Sequence, residues 1–473
     1  MTVITRSATT AARMREAIHL GTYPVGTFLP SVRVLSRQWD VAINTAVAAY
    51  RQLEREGLIT AVPRSGYRVA APVTGEGPRT PTPLNLPTSV TLSDLILTAW
   101  QNRNLPGTTI LSAAIPRADL LPLAAVERHL AAATRAEPTA LHHYDTVPGR
   151  PELRQAVARR LALAGANVDP EDVLITNGAQ EALHLALTAV CPPGAVVAVE
   201  SPAYYGLLQA IGARGLTCIE IPSSSTDGIS VEALEMALDE QPIAAVLCTA
   251  TFSNPGGGSL PRTRQQALVD LCSRRGIPLI DDDTYGELSH DGSRPPICLA
   301  QDRKGTVLHV GSFSKCIAPG LRLGFLVAPR WRNAVRVGKF TTNISTPIHP
   351  QWAVAALLDS GDFDRHRLRT APRLGSAMER CHQAILNAFP AGTRVSRPAG
   401  GIVLWVEMPE AVEAHRLYED ALRAGVSIAP GTMFTARKRF THHIRLTGGW
   451  WDATIEDAIQ RVGRLARHLT RTT

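Results

Sequence analysis

Apolar positions recur along the chain with two different periods, and the change from one to the other divides it. Between residues 10 and 70, the stretches ARMREAIHLG, LPSVRVLSRQWD and INTAVAAYRQLEREG space apolar residues three and four apart, which predicts three amphipathic helices. Pro30-Ser31 opens the second and Gly57 closes the third at a C-cap position. Alternation takes over in LITAVPRSGYRVA, around Arg64-Ser65-Gly66, and predicts a two-stranded wing. Three helices followed by a hairpin make an α+β winged helix-turn-helix over residues 1–70.

Residues 71–92 are rich in Pro, Gly and Thr and show neither period, so they read as a partly extended linker. About 20 such residues at about 3 Å each reach roughly 60 Å. Beyond them, buried runs (DVLIT, AVVAVE, AAVLCTA, IPLIDDD, VLHVGS, LGFLVA) alternate with helical segments such as AQEALHLALTAV and TRQQALVDLCSRR. That alternation predicts a mainly parallel α/β sheet with its sites at strand ends, over about residues 135–345. A long helical run after Pro350 leads to a smaller α+β subdomain, about 350–473.

Composition narrows the class. At 473 residues, 45% of them hydrophobic, the chain is too long for a single core and predicts several domains. No apolar run is long enough to span a bilayer and the N-terminus lacks a signal core, so a cytoplasmic protein without membrane contact is expected. Seven scattered cysteines form no Cys-x-x-Cys pair, which predicts neither disulfides nor a metal site; most read as core residues, with Cys316 as a reactive candidate. Residues 1–70 carry nine arginines against four acids, within a net charge of +8 for the chain. That excess suits a phosphate-rich partner, but arginine is abundant throughout, so charge alone does not decide.

Covalent carbonyl chemistry needs an amine, and lysines occur only at 304, 315, 339 and 438. Lys304 sits in the polar turn QDRKGT, Lys438 in the basic run ARKRF and Lys339 in a helical stretch, whereas Lys315 follows a buried strand in SFSKCIAPGLRLGF. There Ser312, Ser314 and Arg322 are spaced to hold a phosphate dianion, the guanidinium offering a bidentate fork. In IDDDTYGEL three carboxylates end an apolar strand, which is costly unless one meets a positive partner. A pyridinium nitrogen on Asp282 is such a partner, with Tyr285 placed to donate to a phenolic oxygen and Asp281 and Asp283 supporting or solvated. Gly178, Ala179 and Gln180 open a helix after a strand and present N–H groups to an anion, or form an ordinary βα turn. Asn254 in TFSNPGGG reaches the same phenolic oxygen or merely turns the chain; Tyr204 in ESPAYYG stacks on the ring or packs in the core.

Taken together, and in this chain order, these stations resemble the fold-type-I aminotransferases from about Ser93 to the C-terminus. The resemblance implies pyridoxal 5'-phosphate as cofactor and Lys315 as the Schiff-base lysine. It implies Asp282 on the ring nitrogen, Asn254 and Tyr285 on the phenolic oxygen and Tyr204 on the ring face. Ala179, Gln180, Ser312, Ser314 and Arg322 then surround the phosphate. Tyr144, in HHYDTVPGRPELR, matches the tyrosine that reaches the neighbouring subunit's phosphate, which implies a homodimer; Arg445 matches the arginine that clamps a substrate's α-carboxylate. Two departures stand out: Ala179 replaces a frequent serine, and Gly256-Gly257 the usual Thr-Gly after Asn-Pro.

The first 70 residues resemble the GntR-type winged helix, and the whole chain is similar to the MocR subfamily of bacterial regulators. That resemblance implies promoter DNA as partner, with the second helix of the motif in the major groove. Ser31, Arg33 and the wing Arg64-Ser65-Gly66 would lie on the backbone, with Asn44 and Thr45 as the nearest polar readers. Ala42-Ile43 stands where relatives often carry Ser-Arg. A regulator sensing an amine, an amino acid or the cofactor itself is expected; a working aminotransferase with a secondary DNA module is the alternative. A nicotinamide dehydrogenase is excluded, since no strand is followed by Gly-x-Gly-x-x-Gly.

Overall fold

A computed structural model describes residues 6–19, 22–23, 26–55, 58–62, 65–69, 77–80, 86–90, 94–102 and 105–472. Gly57, Arg64 and much of 71–92 lie outside the described residues. The N-terminal unit follows its hydrophobic pattern: α1 (Arg6–His19), α2 (Val32–Gln38) and α3 (Ile43–Arg55), then β1 (Ile59–Val62) and β2 (Gly66–Val69) as an antiparallel hairpin. Ser31 caps α2, its hydroxyl accepting from the Val34 N–H at 3.4 Å. Ala46, Ala49, Tyr50 and Leu53 form the buried stripe of α3, and the Tyr50 hydroxyl donates to the Pro30 carbonyl at 2.8 Å, tying α3 to the turn before α2.

The body is built on one large sheet: β3 (Thr88–Ser89), β5 (Val173–Thr176), β6 (Val196–Ser201), β7 (Thr217–Ser224), β8 (Gly228–Ile229), β9 (Ile243–Cys248), β10 (Leu279–Asp283), β11 (Val307–Ser312) and β12 (Gly324–Val327). Their order is β3-β7-β6-β9-β10-β11-β12-β5, with β8 on β7. Strands β7, β6, β9, β10 and β11 run parallel, while β12 pairs antiparallel with both β11 and β5. One reversed strand thus leaves the C-terminal ends of β5, β6, β9, β10 and β11 on the same edge. Apolar clusters on the two faces of the sheet explain why these strands read as unbroken apolar runs.

A second sheet, β13 (Arg394–Val395), β14 (Val403–Glu407), β17 (His443–Thr447) and β16 (Ala429–Pro430), packs on the 27-residue helix Asp362–Ala388 and the C-terminal helix Ala453–Thr472. Beside it, β4 (Thr109–Ile110) pairs with β15 (Val426–Ser427), so the body's first segment belongs spatially to its last. The described parts of 71–92 lie against the body rather than forming a free tether. Thr88–Ser89 extends the large sheet, and the Arg79 N–H donates to Glu407 Oε2 at 2.6 Å.

Candidate functional site

The strand ends of the large sheet open into a cleft lined among others by Ala179, Gln180, Tyr204, Asn254, Asp282, Tyr285, Ser312, Ser314, Lys315 and Arg322. Ten residues expected from sequence to serve one cofactor therefore share one cavity. Gly178 stands at its rim with φ +84 and ψ 171, a backbone conformation essentially confined to glycine. A Cβ there would lie 2.5 Å from Arg322 Nη2. Glycine is thus needed both for the turn and to let the guanidinium in.

At this end of the cleft, the helix Ala179–Val190 begins, and the N–H groups of a helix's first turn have no intrahelical partner. Arg322, in a left-handed backbone turn at φ 52, sends Nη1 to Ser314 Oγ at 3.3 Å, and the Ser314 N–H donates to Ser312 Oγ at 3.2 Å. The Gln180 side chain is engaged elsewhere, on the Gly206 carbonyl at 2.8 Å, so only its backbone is available to an anion. Ala179 removes a hydroxyl but not the N–H.

At the other end, Asp282 is buried, and both the hydroxyl and the N–H of Thr284 donate to its Oδ1, at 2.5 and 3.2 Å. Burial pushes its carboxyl up to about 6, Thr284 pulls it down, and Asp281 and Asp283 push it up again. These flanking carboxylates are buried, not solvated. His309 on β11 lies between them, 3.5 Å from Asp281 and 3.6 Å from Asp283, and Arg294 pairs with Asp283. Beneath, Glu200 is fully buried and accepts from the Thr249 N–H at 2.9 Å; burial drives it up to about 8.

Lys315 projects between these ends, its Nζ donating to the Ala114 carbonyl at 2.8 Å. Withdrawal from water, then the positive charges of Arg445 and Arg322, lower its amine to about 8, with Asp282 opposing them. Asn254 Nδ2 donates to the Tyr285 hydroxyl at 3.4 Å, so both point at one spot. Asn254 Oδ1 in turn accepts from Arg445 Nη1 at 3.1 Å, while Nη2 donates to the Ser112 carbonyl and Nε has no partner. Arg445 is 1% exposed. Among the described residues neither Arg445 nor Arg322 meets a carboxylate.

The other lysines are accounted for: Lys304 and Lys438 are exposed, and Lys339 is buried in an ion pair with Glu181 at 2.9 Å. Cys316 is a correction to the sequence reading. It is buried behind Lys315 and its thiol is pushed far up by burial, which removes the thiolate that reactivity requires. Tyr144 is 80% exposed and does not line this cleft. Thr249, Thr284 and Tyr205 line it without having been anticipated; only Thr284 left a local signal, two residues after Asp282 where a hydroxyl reaches back.

In the N-terminal unit, Arg33, Asn44, Ser65 and Gly66 are exposed and Thr45 is half-buried; Ser31 spends its hydroxyl on the α2 cap, and Arg64 lies outside the described residues. Among the described residues no helix is long and apolar enough to cross a membrane, and no cluster of three or more possible metal ligands occurs.

Known proteins carry the same two parts. The family described as "Aminotransferase class I and II" matches residues 113–462, and "Bacterial regulatory proteins, gntR family" matches residues 6–69. The chain is 35% identical to the uncharacterized HTH-type transcriptional regulator YdcR of Escherichia coli, over 96% of this chain and 97% of that one. A second regulator of that organism, YjiR, is 34% identical over 97% and 98%. Among solved structures, LysN, an α-aminoadipate aminotransferase from Thermus thermophilus complexed with N-(5'-phosphopyridoxyl)-L-leucine, superposes with a TM-score of 0.74 at 28% identity, covering 80% of this chain and 96% of that one.

Proposed function

The chain belongs to the class I and II aminotransferase family and carries a gntR-family regulatory module ahead of it, the MocR arrangement, and from that premise we propose a DNA-binding regulator that holds pyridoxal 5'-phosphate on Lys315 and senses an amino compound there. One observation carries the reading: a buried-cleft amine with a lowered proton affinity stands between a carboxylate kept above its usual range and an arginine that meets no carboxylate among the described residues.

Pyridoxal phosphate is the cofactor of this family and fold, and the residues present fit it. Arg322, the hydroxyls of Ser312 and Ser314 and the first N–H groups of the helix Ala179–Val190 match a phosphate dianion. Asp282 gains the positive partner that its burial demands, and Asn254 and Tyr285 converge where a phenolic oxygen needs donors. When bound, the cofactor supplies a protonated ring that draws electrons from the carbon beside a captured amine.

The chain's own residues do the rest. Lys315 Nζ, its proton affinity lowered to about 8, would be the amine that holds the cofactor and, when free, would be placed to move a proton. Thr284 fixes the Asp282 carboxylate, and Tyr204 and Tyr205 wall the ring site. Arg445, buried with an unpartnered Nε, favours an α-amino acid over a simple amine, since it awaits a carboxylate. Tyr144, exposed and outside its own cleft, supports a homodimer in which each copy completes the other's phosphate site.

Regulation requires the cleft to influence the DNA module, and the chain between them supports this. Gly77 packs against Ser225, Pro78 lies with Ser253, Gly256 and Trp405 beside the loop that carries Asn254, and Arg79 holds Glu407 on β14. Trp405 on that strand is the register partner of Arg445. A ligand held by Asn254 and Arg445 thereby touches the elements that seat the linker. The test is a spectral titration of holoprotein with amines and amino acids, with promoter-DNA binding followed in the same samples. A ligand that shifts both supports the regulator. Rapid turnover with a 2-oxo acid and no retardation of DNA supports the aminotransferase instead.

A further inference from the structure

Helix α3 has an apolar face that the fold of the N-terminal unit leaves unused. It packs on α1, α2 and β1 through Ala46, Ala49, Tyr50 and Leu53, all fully buried. Ile43 and Val47 flank that buried stripe and Asn44 and Ala48 lie opposite it: Ile43 is 52% exposed, Asn44 and Ala48 are exposed and Val47 is half-buried. Ala42, just before the helix, is exposed as well. These residues are an uncovered apolar surface on a small basic module, whose helix α2, packed on α3, exposes Arg33 and Arg37 and whose strand β2 exposes Arg68.

Apolar side chains on a module that also exposes arginines match a duplex, whose phosphates flank a groove of base edges. The one methyl group that unmodified base pairs offer in the major groove is the C5-methyl of thymine; the other edge groups are hydrogen-bond donors and acceptors, with only the small C5–H of cytosine apolar among them. We infer that α3 selects thymine, with Ile43, Val47 and Ala42 in van der Waals contact with C5-methyl groups and Asn44 as the adjoining polar reader. The inference rests on the DNA-binding reading above and adds the chemistry of the sequence that is read.

The experiment begins with the full-length holoprotein and a random-sequence duplex library. From the enriched duplex, each thymine is replaced in turn by deoxyuridine, which keeps the pairing and deletes only the methyl. At one or more positions the replacement is expected to weaken binding about fourfold, the factor for one buried methyl. Ile43→Ser, a surface change, is expected to bind the thymine duplex about as weakly as the wild type binds the deoxyuridine duplex, and to lose the preference; Val47→Ser should lose it at a neighbouring position. Enrichment of a duplex that is indifferent to every replacement overturns the inference while leaving DNA binding intact. So does an Ile43→Ser protein that keeps the full preference, or one in which only the oligomeric state changes, which would make this surface a protein contact. Failure to enrich any duplex defeats the DNA-binding reading itself.

Discussion

The residues that decide the chemistry are few, and two substitutions separate their roles. Lys315→Ala is expected to abolish the visible absorbance of the lysine-bound cofactor while far-UV circular dichroism stays unchanged; an unaltered spectrum would refute the assignment. Asp282 makes a prediction about pH. Its folded-state proton affinity is raised from 3.8 to about 6, so folding favours the neutral acid. The associated stability is present below about pH 4 and is lost as pH rises through about 6. In cofactor-free protein this amounts to up to about 3 kcal/mol. Asp282→Asn cannot ionise and should lose less stability between pH 4.5 and 7 in denaturant titrations, while binding the cofactor at least about a hundredfold more weakly, since a buried ring charge is left unpaired. A remaining decline towards pH 8 is expected from Glu200, which is raised in the same sense. Lys315, Asp282, Asn254, Tyr285 and Arg322 were legible because each sits in a short run whose polarity makes no sense for a buried strand end. His309 and Arg294 were not, because what holds Asp281 and Asp283 comes from an adjacent strand and from the loop that follows, and Glu200 was not, because its partner Thr249 lies after a neighbouring strand; register across a sheet leaves no trace in local sequence.

At the scale of elements, the helix Ala179–Val190 coincides with the segment AQEALHLALTAV, and the strands of the cleft fall on the predicted apolar runs. Strand β7 escaped notice because TCIEIPSS interrupts its apolar positions with Glu220 and Pro222; Glu220 is buried there against Ser201 and Thr435, a pairing made only in three dimensions. Nor does order along the chain show that β4 joins β15, although this brings the segment carrying Ala114 to Lys315. The junction between β5 and its helix carries the sharpest prediction. Gly178→Ala adopts a conformation that costs other residues about 1–3 kcal/mol, so folding stability should fall by about that much in denaturant titrations, and its Cβ displaces the Arg322 guanidinium, so cofactor affinity should fall in equilibrium titrations of the cofactor-free protein. Ala179→Ser, which adds a hydroxyl beside the same anion site, should not weaken it.

For the whole molecule, what matters is whether two modules joined by 71–92 behave as one. Composition alone makes that stretch a free spacer, and a free spacer transmits nothing, since a ligand shifts an equilibrium only through a difference in affinity for two arrangements. The structure supplies a place where arrangements can differ: Glu407 accepts the Arg79 N–H at 2.6 Å and pairs with its guanidinium at 3.5 Å, while Trp405, two residues before it, registers with Arg445. The Arg79 side chain is largely exposed, so its ion pair contributes only about 0–1 kcal/mol, and the backbone bond and Pro78 do most of the seating. Glu407→Ala removes both polar contacts at once and touches no cofactor-lining side chain. Hydrogen exchange over 77–80 should rise. Ligand binding followed by absorbance should stay near the wild-type value, while the ligand-dependent change in DNA affinity, typically about five- to 150-fold for coupled sites, should shrink towards unity. If exchange rises and the DNA response persists in full, the seat is a passive anchor and coupling takes another route.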